Sequence, residues 1–183
     1  MSQAYTLWFT GMSGAGKSTL SALVANELRN RGLKVELLDG DEVRANLNQD
    51  LSFSKADRDM NIRRIGYVCH LLTRNDVWCI SAAISPYRDM RDHNRKLIGN
   101  FIEIYVECSL NKLAERDVKG LYKKAMAGEI KNFTGVSDPY EPPLHPEIQV
   151  NSEKETVDES IGKIVSYLES KGLIPKSKAA VRR

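Results

Sequence analysis

The sequence predicts an α/β fold: a central, roughly five-stranded parallel sheet with helices on both faces and a lid over one end. Two observations carry this. Short apolar runs alternate along the chain with segments of helical period. A glycine-rich loop follows the first apolar run and opens the first helix. Strands separated by helices imply right-handed crossovers and a parallel sheet. No repeat or linker divides the 183 residues, so one domain over 1–175 is expected, followed by a basic tail over 176–183.

The first strand is expected over Tyr5 to Thr10. Leu20, Leu23, Val24 and Leu28 then mark a helix that ends at the basic turn and glycine of Arg31-Gly32. Val35 to Leu38 reads as the second strand and Glu42 to Leu47 as a short helical turn. Ser54, with Asp57 three residues on, caps a helix with Ile62, Ile65, Cys69 and Leu72 on one face. Arg58, Asn61, Arg63 and Arg64 lie on the other. A third strand over Val77 to Ala82, a helix over Arg88 to Ile98 and a fourth strand over Phe101 to Val106 follow. Short helices are expected over Asn111 to Arg116 and Leu121 to Ala127. The segment 130–146 holds Gly135, Pro139, Pro142, Pro143 and Pro146, the composition of a long binding loop or lid. A fifth strand over Glu147 to Val150 precedes a last helix. Thr156 and Glu159 form its capping box, and Val157, Ile161, Ile164, Val165 and Leu168 its core stripe.

Gly11-Met12-Ser13-Gly14-Ala15-Gly16-Lys17-Ser18-Thr19 fits G-x-x-x-x-G-K-[ST] in the strand–loop–helix context that the motif requires. The glycines let successive N–H groups face one concavity suited to phosphate oxygens. Lys17 brings a charge to the β- and γ-phosphates, and Ser18 a hydroxyl to Mg²⁺. The fold class is therefore the P-loop NTPase fold, with ATP and magnesium as expected ligands. In such sheets ligands bind at the carboxyl ends of the strands. There the sequence places this loop, Asp39-Gly40-Asp41 and Ile84-Ser85-Pro86.

Composition narrows the class. A net charge of +3 suits small anions and gives no reason to invoke nucleic acid. No apolar run approaches a membrane span, and the N-terminal residues do not resemble a secretory signal, so cytoplasmic residence is expected. Cys69, Cys79 and Cys108 have no metal-ligand spacing and read as buried reduced thiols. Lys176, Lys178, Arg182 and Arg183 read as a solvated end, not a binding arm.

Several residues carry candidate chemistry. Asp39 and Asp41 suit a metal-associated acid or a base for an attacking hydroxyl; the same triplet also suits a turn with a helix cap. Asp41 is the better base, since it begins the next element. Arg44, Arg58, Asn61, Arg63 and Arg64 form a patch fit for phosphate or sulfate, although one or two would serve as a solvated helix face. Phe53 and Phe133, in polar loops, would stack on a purine or plug a local core. Ser85 is a nucleophile only with a base beside it, and otherwise a turn or substrate-binding hydroxyl. No histidine has a spacing that assigns it a role.

These segments together resemble the adenylylsulfate kinase family. The match comprises the P-loop; Asp39-Gly40-Asp41-Glu42-Val43-Arg44; Phe53-Ser54 with Asp57-Arg58; and Asn61-Ile62-Arg63-Arg64. It continues with Ile84-Ser85-Pro86-Tyr87-Arg88, Arg116 through Ala125, Phe133-Thr134-Gly135 and Pro139-Tyr140-Glu141. It extends to about Leu173.

The resemblance implies transfer of the γ-phosphate of MgATP to the 3′-hydroxyl of adenosine 5′-phosphosulfate. It implies Asp41 as base and metal-associated acid, with Ser18 on the metal and Lys17 on the phosphates. Arg44, Arg58 and Asn61 would bind the acceptor nucleotide beside Asp39, Ile84 and Ser85, with Phe53 and Phe133 on its adenine. Arg116 would pack on the adenine of ATP. A lid over about 119–143 and a homodimer are also implied, with Lys123 or Lys124 as a source of lid charge. The family has been described with a phosphoserine at the position of Ser85, which would make that residue catalytic. Positioning and charge suffice for phosphoryl transfer, and direct in-line transfer is the preferred expectation.

The sequence departs from the family pattern at Ser52 (glycine in the family), Met60, Ala82-Ala83 and Met126. A glycine at 52 would matter if the backbone there needed a special φ. The P-loop alone also suits two other readings: a different small-molecule kinase, and a non-catalytic nucleotide-binding or GTPase-like module. The latter lacks its guanine-reading N/T-K-x-D run here.

Overall fold

Two strands, β1 (Thr6–Thr10) and β3 (Trp78–Ala82), are buried along their whole length. A strand covered on both faces belongs at the middle of a sheet, and that is where both lie. The computed structural model describes residues 3–176, which form five parallel strands in the order β2-β3-β1-β4-β5. Strand β2 is Val35–Asp39, β4 is Phe101–Glu107 and β5 is Ile148–Asn151. Of the tail expected over 176–183, only Lys176 lies within the described residues.

The helices are α1 (Lys17–Asn30), α2 (Gly40–Asn46), α3 (Lys55–Thr73), α4 (Arg88–Ile98), α5 (Leu110–Arg116), α6 (Leu121–Met126) and α7 (Val157–Ser170). On one face α1 and α7 bury Leu20, Val24, Leu28, Ile164 and Leu168 against Leu7, Phe9, Ile80, Ile102 and Ile104. On the other, α3 and α4 bring Ile62, Ile65, Cys69 and Met90 against Trp8, Cys79 and Phe101. Trp8 and Phe101 stack at 5.6 Å, which adds aromatic contact to the area buried.

Local chemistry sets the boundaries. Ser54 caps α3 by accepting from the Asp57 N–H, and Thr156 with Glu159 forms a reciprocal capping box on α7. Asp39, at the end of β2, caps α2. The helix therefore starts at Gly40, two residues before the expected turn. The segment 130–146 is irregular apart from a bridge between Thr134 and Asp138.

One expected core position, Val157, is corrected, and Leu23, an apolar position of the first helix, also faces outward. Leu23 of α1 and Val157 of α7 are 40% and 44% exposed. Each helix buries a stripe narrower than its apolar sequence allows, completed by small residues: Ser21 and Ala25 in α1, Ser160 in α7. All three cysteines are buried free thiols. Cys69 and Cys79 lie Sγ to Sγ at 3.3 Å across the α3–β3 contact, and burial pushes the Cys69 pKa up.

Candidate active site

The loop after β1 turns through backbone that only glycine accepts easily. Gly11 has φ 153°, and a Cβ there would meet the Val106 carbonyl oxygen at 2.4 Å. Gly16 has φ 101° and ends the loop as the N-cap of α1, with no side chain bonding to the first N–H groups. No acidic residue stands in that helix's first turn, so its positive end is left for an anion. Lys17 Nζ donates to the Gly11 and Met12 carbonyls, each at 2.8 Å. Burial, reinforced by the charge of Lys119, lowers its pKa to about 8.

Across the cleft, Ser18 Oγ donates to Asp39 Oδ2 at 2.6 Å, while Asp39 Oδ1 accepts from the Asp41 N–H at 3.0 Å. Asp41 carries its side chain from the first turn of α2 and pairs with Lys119. The turn-and-cap reading was therefore right for Asp39, and it leaves Asp41 facing the cleft.

Lys119 is a site residue that sequence reasoning missed. Lys123 and Lys124, the expected lid charges, are exposed, whereas Lys119 lines the cleft. The available signal was Gly120, whose left-handed φ of 64° makes it the N-cap of α6 and turns the chain just after Lys119.

The side of the cleft expected to hold the acceptor is built largely on α3. Arg58 and Asn61 come from the face opposite the apolar stripe, yet both are buried. Arg58 Nε donates to the Phe53 carbonyl at 2.9 Å. Its two terminal nitrogens donate to the Thr134 hydroxyl and the Asn132 carbonyl, so this guanidinium holds the segment 132–134. Arg44 donates to the Leu51 and Ser52 carbonyls at 3.0 and 3.1 Å and lies 4.5 Å over the Phe53 ring.

Phe53 is 58% exposed, which removes the core-plug reading for it. Phe133 meets Tyr122 edge-on at 5.0 Å, packs on the core and also lines the cleft. Ser52 does not adopt a positive φ; its hydroxyl and N–H bond to Asp57, so the departure from glycine leaves this loop intact. Arg63 is exposed and Arg64 pairs with Asp50 at 2.7 Å; neither lines the cleft.

After β3, Ile84 accepts from Thr10 Oγ1 at 2.7 Å, and Ser85 sits at φ 51°, in the region L-residues avoid. Ser85 Oγ accepts from Trp8 Nε1 at 3.2 Å, and no basic group is hydrogen bonded to it among the described residues. Buried Arg91 of α4 holds this loop through the Ser85 carbonyl. It also donates to the Glu141 carbonyl at 2.6 Å and pairs with Glu103 at 2.8 Å.

One cleft of about 440 Å³ gathers Gly14, Gly16, Lys17, Ser18 and Thr19 from the P-loop with Asp39, Asp41, Arg44, Phe53, Arg58, Asn61, Ile84, Ser85 and Phe133. Its charged groups Lys17, Arg44, Arg58 and Lys119 outnumber Asp39 and Asp41, so the field favours anions. Arg116 lies outside it, where α5 meets the loop after β5, and donates to the Ser152 carbonyl at 2.6 Å. Ser13 also lines the cleft, and its carbonyl accepts from the Tyr122 hydroxyl of α6 at 2.8 Å; Gly11, Met12 and Ala15 complete the loop.

Comparison with known proteins gives one consistent result. The family model described as adenylylsulphate kinase matches residues 3–151. The chain is 58% identical over 174 residues to the adenylyl-sulfate kinase of Rippkaea orientalis, covering 95% of this chain and 96% of that one. It is 57% identical to a probable bifunctional SAT/APS kinase of Sorangium cellulosum, covering 97% of this chain but spanning only 30% of that longer protein. Among solved structures it resembles the Mycobacterium tuberculosis APS kinase CysC in complex with AMPPNP and APS. The TM-score is 0.88 at 39% identity, over 92% of this chain and 99% of that one.

Proposed function

The chain belongs to the adenylylsulphate kinase family, and from that premise we propose that it transfers the γ-phosphate of ATP to the 3′-hydroxyl of adenosine 5′-phosphosulfate. The products are 3′-phosphoadenosine 5′-phosphosulfate and ADP. One observation supports this reading most directly: a phosphate-cradling loop and an arginine–asparagine–phenylalanine acceptor set share one cleft. A nucleotide triphosphate needs only the loop; the second set suits a second anionic nucleotide.

Roles follow from chemistry. Lys17 and the free N–H groups at the start of α1 stabilise charge on the transferring group. Asp41 accepts the proton of the attacking hydroxyl. Arg44, Arg58 and Asn61 hold the acceptor's anionic groups, with Phe53 and Phe133 on its purine. Arg116 is assigned to the donor's adenine.

Ser18 and Asp41 fit magnesium, because Ser18 Oγ and the Asp39 and Asp41 carboxylates offer only oxygen and lie on adjoining elements. No group of three or more His, Cys, Asp or Glu that could hold a metal exists among the described residues; a magnesium ion that keeps waters and substrate phosphates needs no such group. When bound, it neutralises phosphate charge.

The segment 119–143 is assigned as a lid, since Lys119, Phe133 and Thr134 reach the cleft from it. Closing it excludes water and completes the site. The domain is assigned to 1–175. The reading includes a homodimer, supported by the family resemblance, and residence in the cytoplasm. No helix among the described residues is long and apolar enough to cross a membrane. Light scattering that gives a monomer mass overturns the dimer.

The deciding experiment is an ADP-release assay with ATP, Mg²⁺ and adenosine 5′-phosphosulfate, run beside other hydroxyl acceptors. Turnover confined to the phosphosulfate is expected. Release at the blank rate, or a preference for another acceptor, overturns the reading.

A further inference from the structure

The buried side chain of Asn48, outside the cleft, links the amide of Asn61 to the guanidinium of Arg64. Arg64 is held by Asp50 through two contacts of 2.7 Å, and its Nη1 lies 3.2 Å from one end of the Asn48 amide. The other end of that amide lies 2.7 Å from Asn61. An amide's two ends look alike by shape, and only their partners tell them apart. A guanidinium has hydrogens and no acceptor. The end of Asn48 facing Arg64 must therefore be its oxygen. Asn48 Nδ2 then donates to Asn61, and the end of Asn61 that receives it must also be oxygen. What is left for the cleft, which Asn61 lines, is the Asn61 NH₂.

We infer that Asn48 is a positioning residue that orients the Asn61 amide so that the cleft meets a donor and not an acceptor. The orientation originates at Arg64 and is passed on through one buried amide. It explains why Asn48 is fully buried although strongly polar, since its two ends are satisfied in opposite senses. It also gives Arg64 a function although that residue never reaches the cleft. The consequence is specificity for an anionic or carbonyl acceptor atom at that position. The inference rests on the assignment of Asn61 to the acceptor half of the site.

Two variants test it. Asn48→Asp keeps shape and still accepts from Arg64, but has no proton for Asn61, whose amide then turns its oxygen to the cleft. Asn48→Leu removes the donor without adding charge. Both are expected to raise KM for adenosine 5′-phosphosulfate by roughly 10- to 100-fold, the loss of one hydrogen bond to a charged group. KM for ATP should stay within about 2-fold, as for a change confined to acceptor binding. In an Asn61→Ala background the same changes should have no further effect on acceptor affinity.

An unaltered acceptor KM in both variants overturns the inference, as does an equal shift in the Asn61→Ala background. Side-chain NMR of the unliganded wild type tests the orientation without turnover: the Asn48 NH₂ should exchange slowly and the Asn61 NH₂ quickly. The reverse order overturns the inference even if the wild type proves inactive on the phosphosulfate, a failure that would count only against the proposed function.

Discussion

Arg91 donates a hydrogen bond to the Ser85 carbonyl from a guanidinium only 2% exposed. Ser85 is held at φ 51°, and the same guanidinium reaches the Glu141 carbonyl near the end of the segment 119–143. One side chain thus ties a strained loop in the cleft to the base of the lid. Its approach to Glu103 is close but poorly directed, so that contact is more ion pair than hydrogen bond. Arg91→Met should lower stability by about 3 kcal/mol, the low end for breaking a buried pair, since Arg95 stays 3.3 Å from Glu103. Urea midpoints check this; a loss under about 1 kcal/mol would mean that Arg91 is dispensable to the fold.

Asp41→Ala should reduce kcat by roughly 10²- to 10⁴-fold, the usual contribution of a positioned base. KM for ATP should change little, because the nucleotide cradle is made by residues 11–19. Steady-state kinetics with both substrates varied checks it, and near-normal turnover would remove Asp41 as base.

Ser85→Ala should retain kcat within about 10-fold, since the hydroxyl accepts from Trp8 and has no base to activate it. Intact-mass spectrometry during turnover should find no phosphoserine. A dead variant together with a phosphorylated Ser85 would establish the covalent route instead.

Lys17 links nucleotide binding to pH. Its folded pKa lies at about 8, below the ordinary lysine value of 10.5, chiefly through burial. Between those values the unfolded chain binds more protons, so this residue's contribution to stability grows with rising pH and is lost as pH falls through about 8. A bound polyphosphate favours the ammonium and restores its pKa. At pH 8.5 ATP binding should therefore take up a substantial fraction of a proton. Calorimetry in buffers of different ionisation enthalpy reads this directly, and identical heats would exclude it.

Much of this molecule is legible in its sequence, for identifiable reasons. Parallel strands are buried on both faces, so Trp8-Phe9 and Cys79-Ile80 show as apolar runs that need no partner to be recognised. The P-loop is local chemistry, complete within nine residues. At Leu23 and Val157 the apolar spacing is wider than the buried stripe, because spacing says which face is inward but not how far the neighbouring helix covers it. What stayed hidden is pairing over distance. Lys119 with Asp41, Thr134 with Arg58, and Asn48 with Asn61 are set by how loops return to the sheet. The guanidinium patch was legible as a group, but only packing shows that Arg58 turns inward while Arg63 faces solvent.

The Asp39 carboxylate touches both halves of the cleft at once, with one oxygen on Ser18 and the other on the N–H of Asp41. It acts as a spacer of fixed width. The start of α1 and the start of α2 are kept one carboxylate apart. On the proposed placement of donor and acceptor, the gap between them is set in advance by the protein and not by the order in which they arrive. Lengthening that spacer by one methylene, as in Asp39→Glu, would retain every charge and still change the distance over which the phosphoryl group must travel.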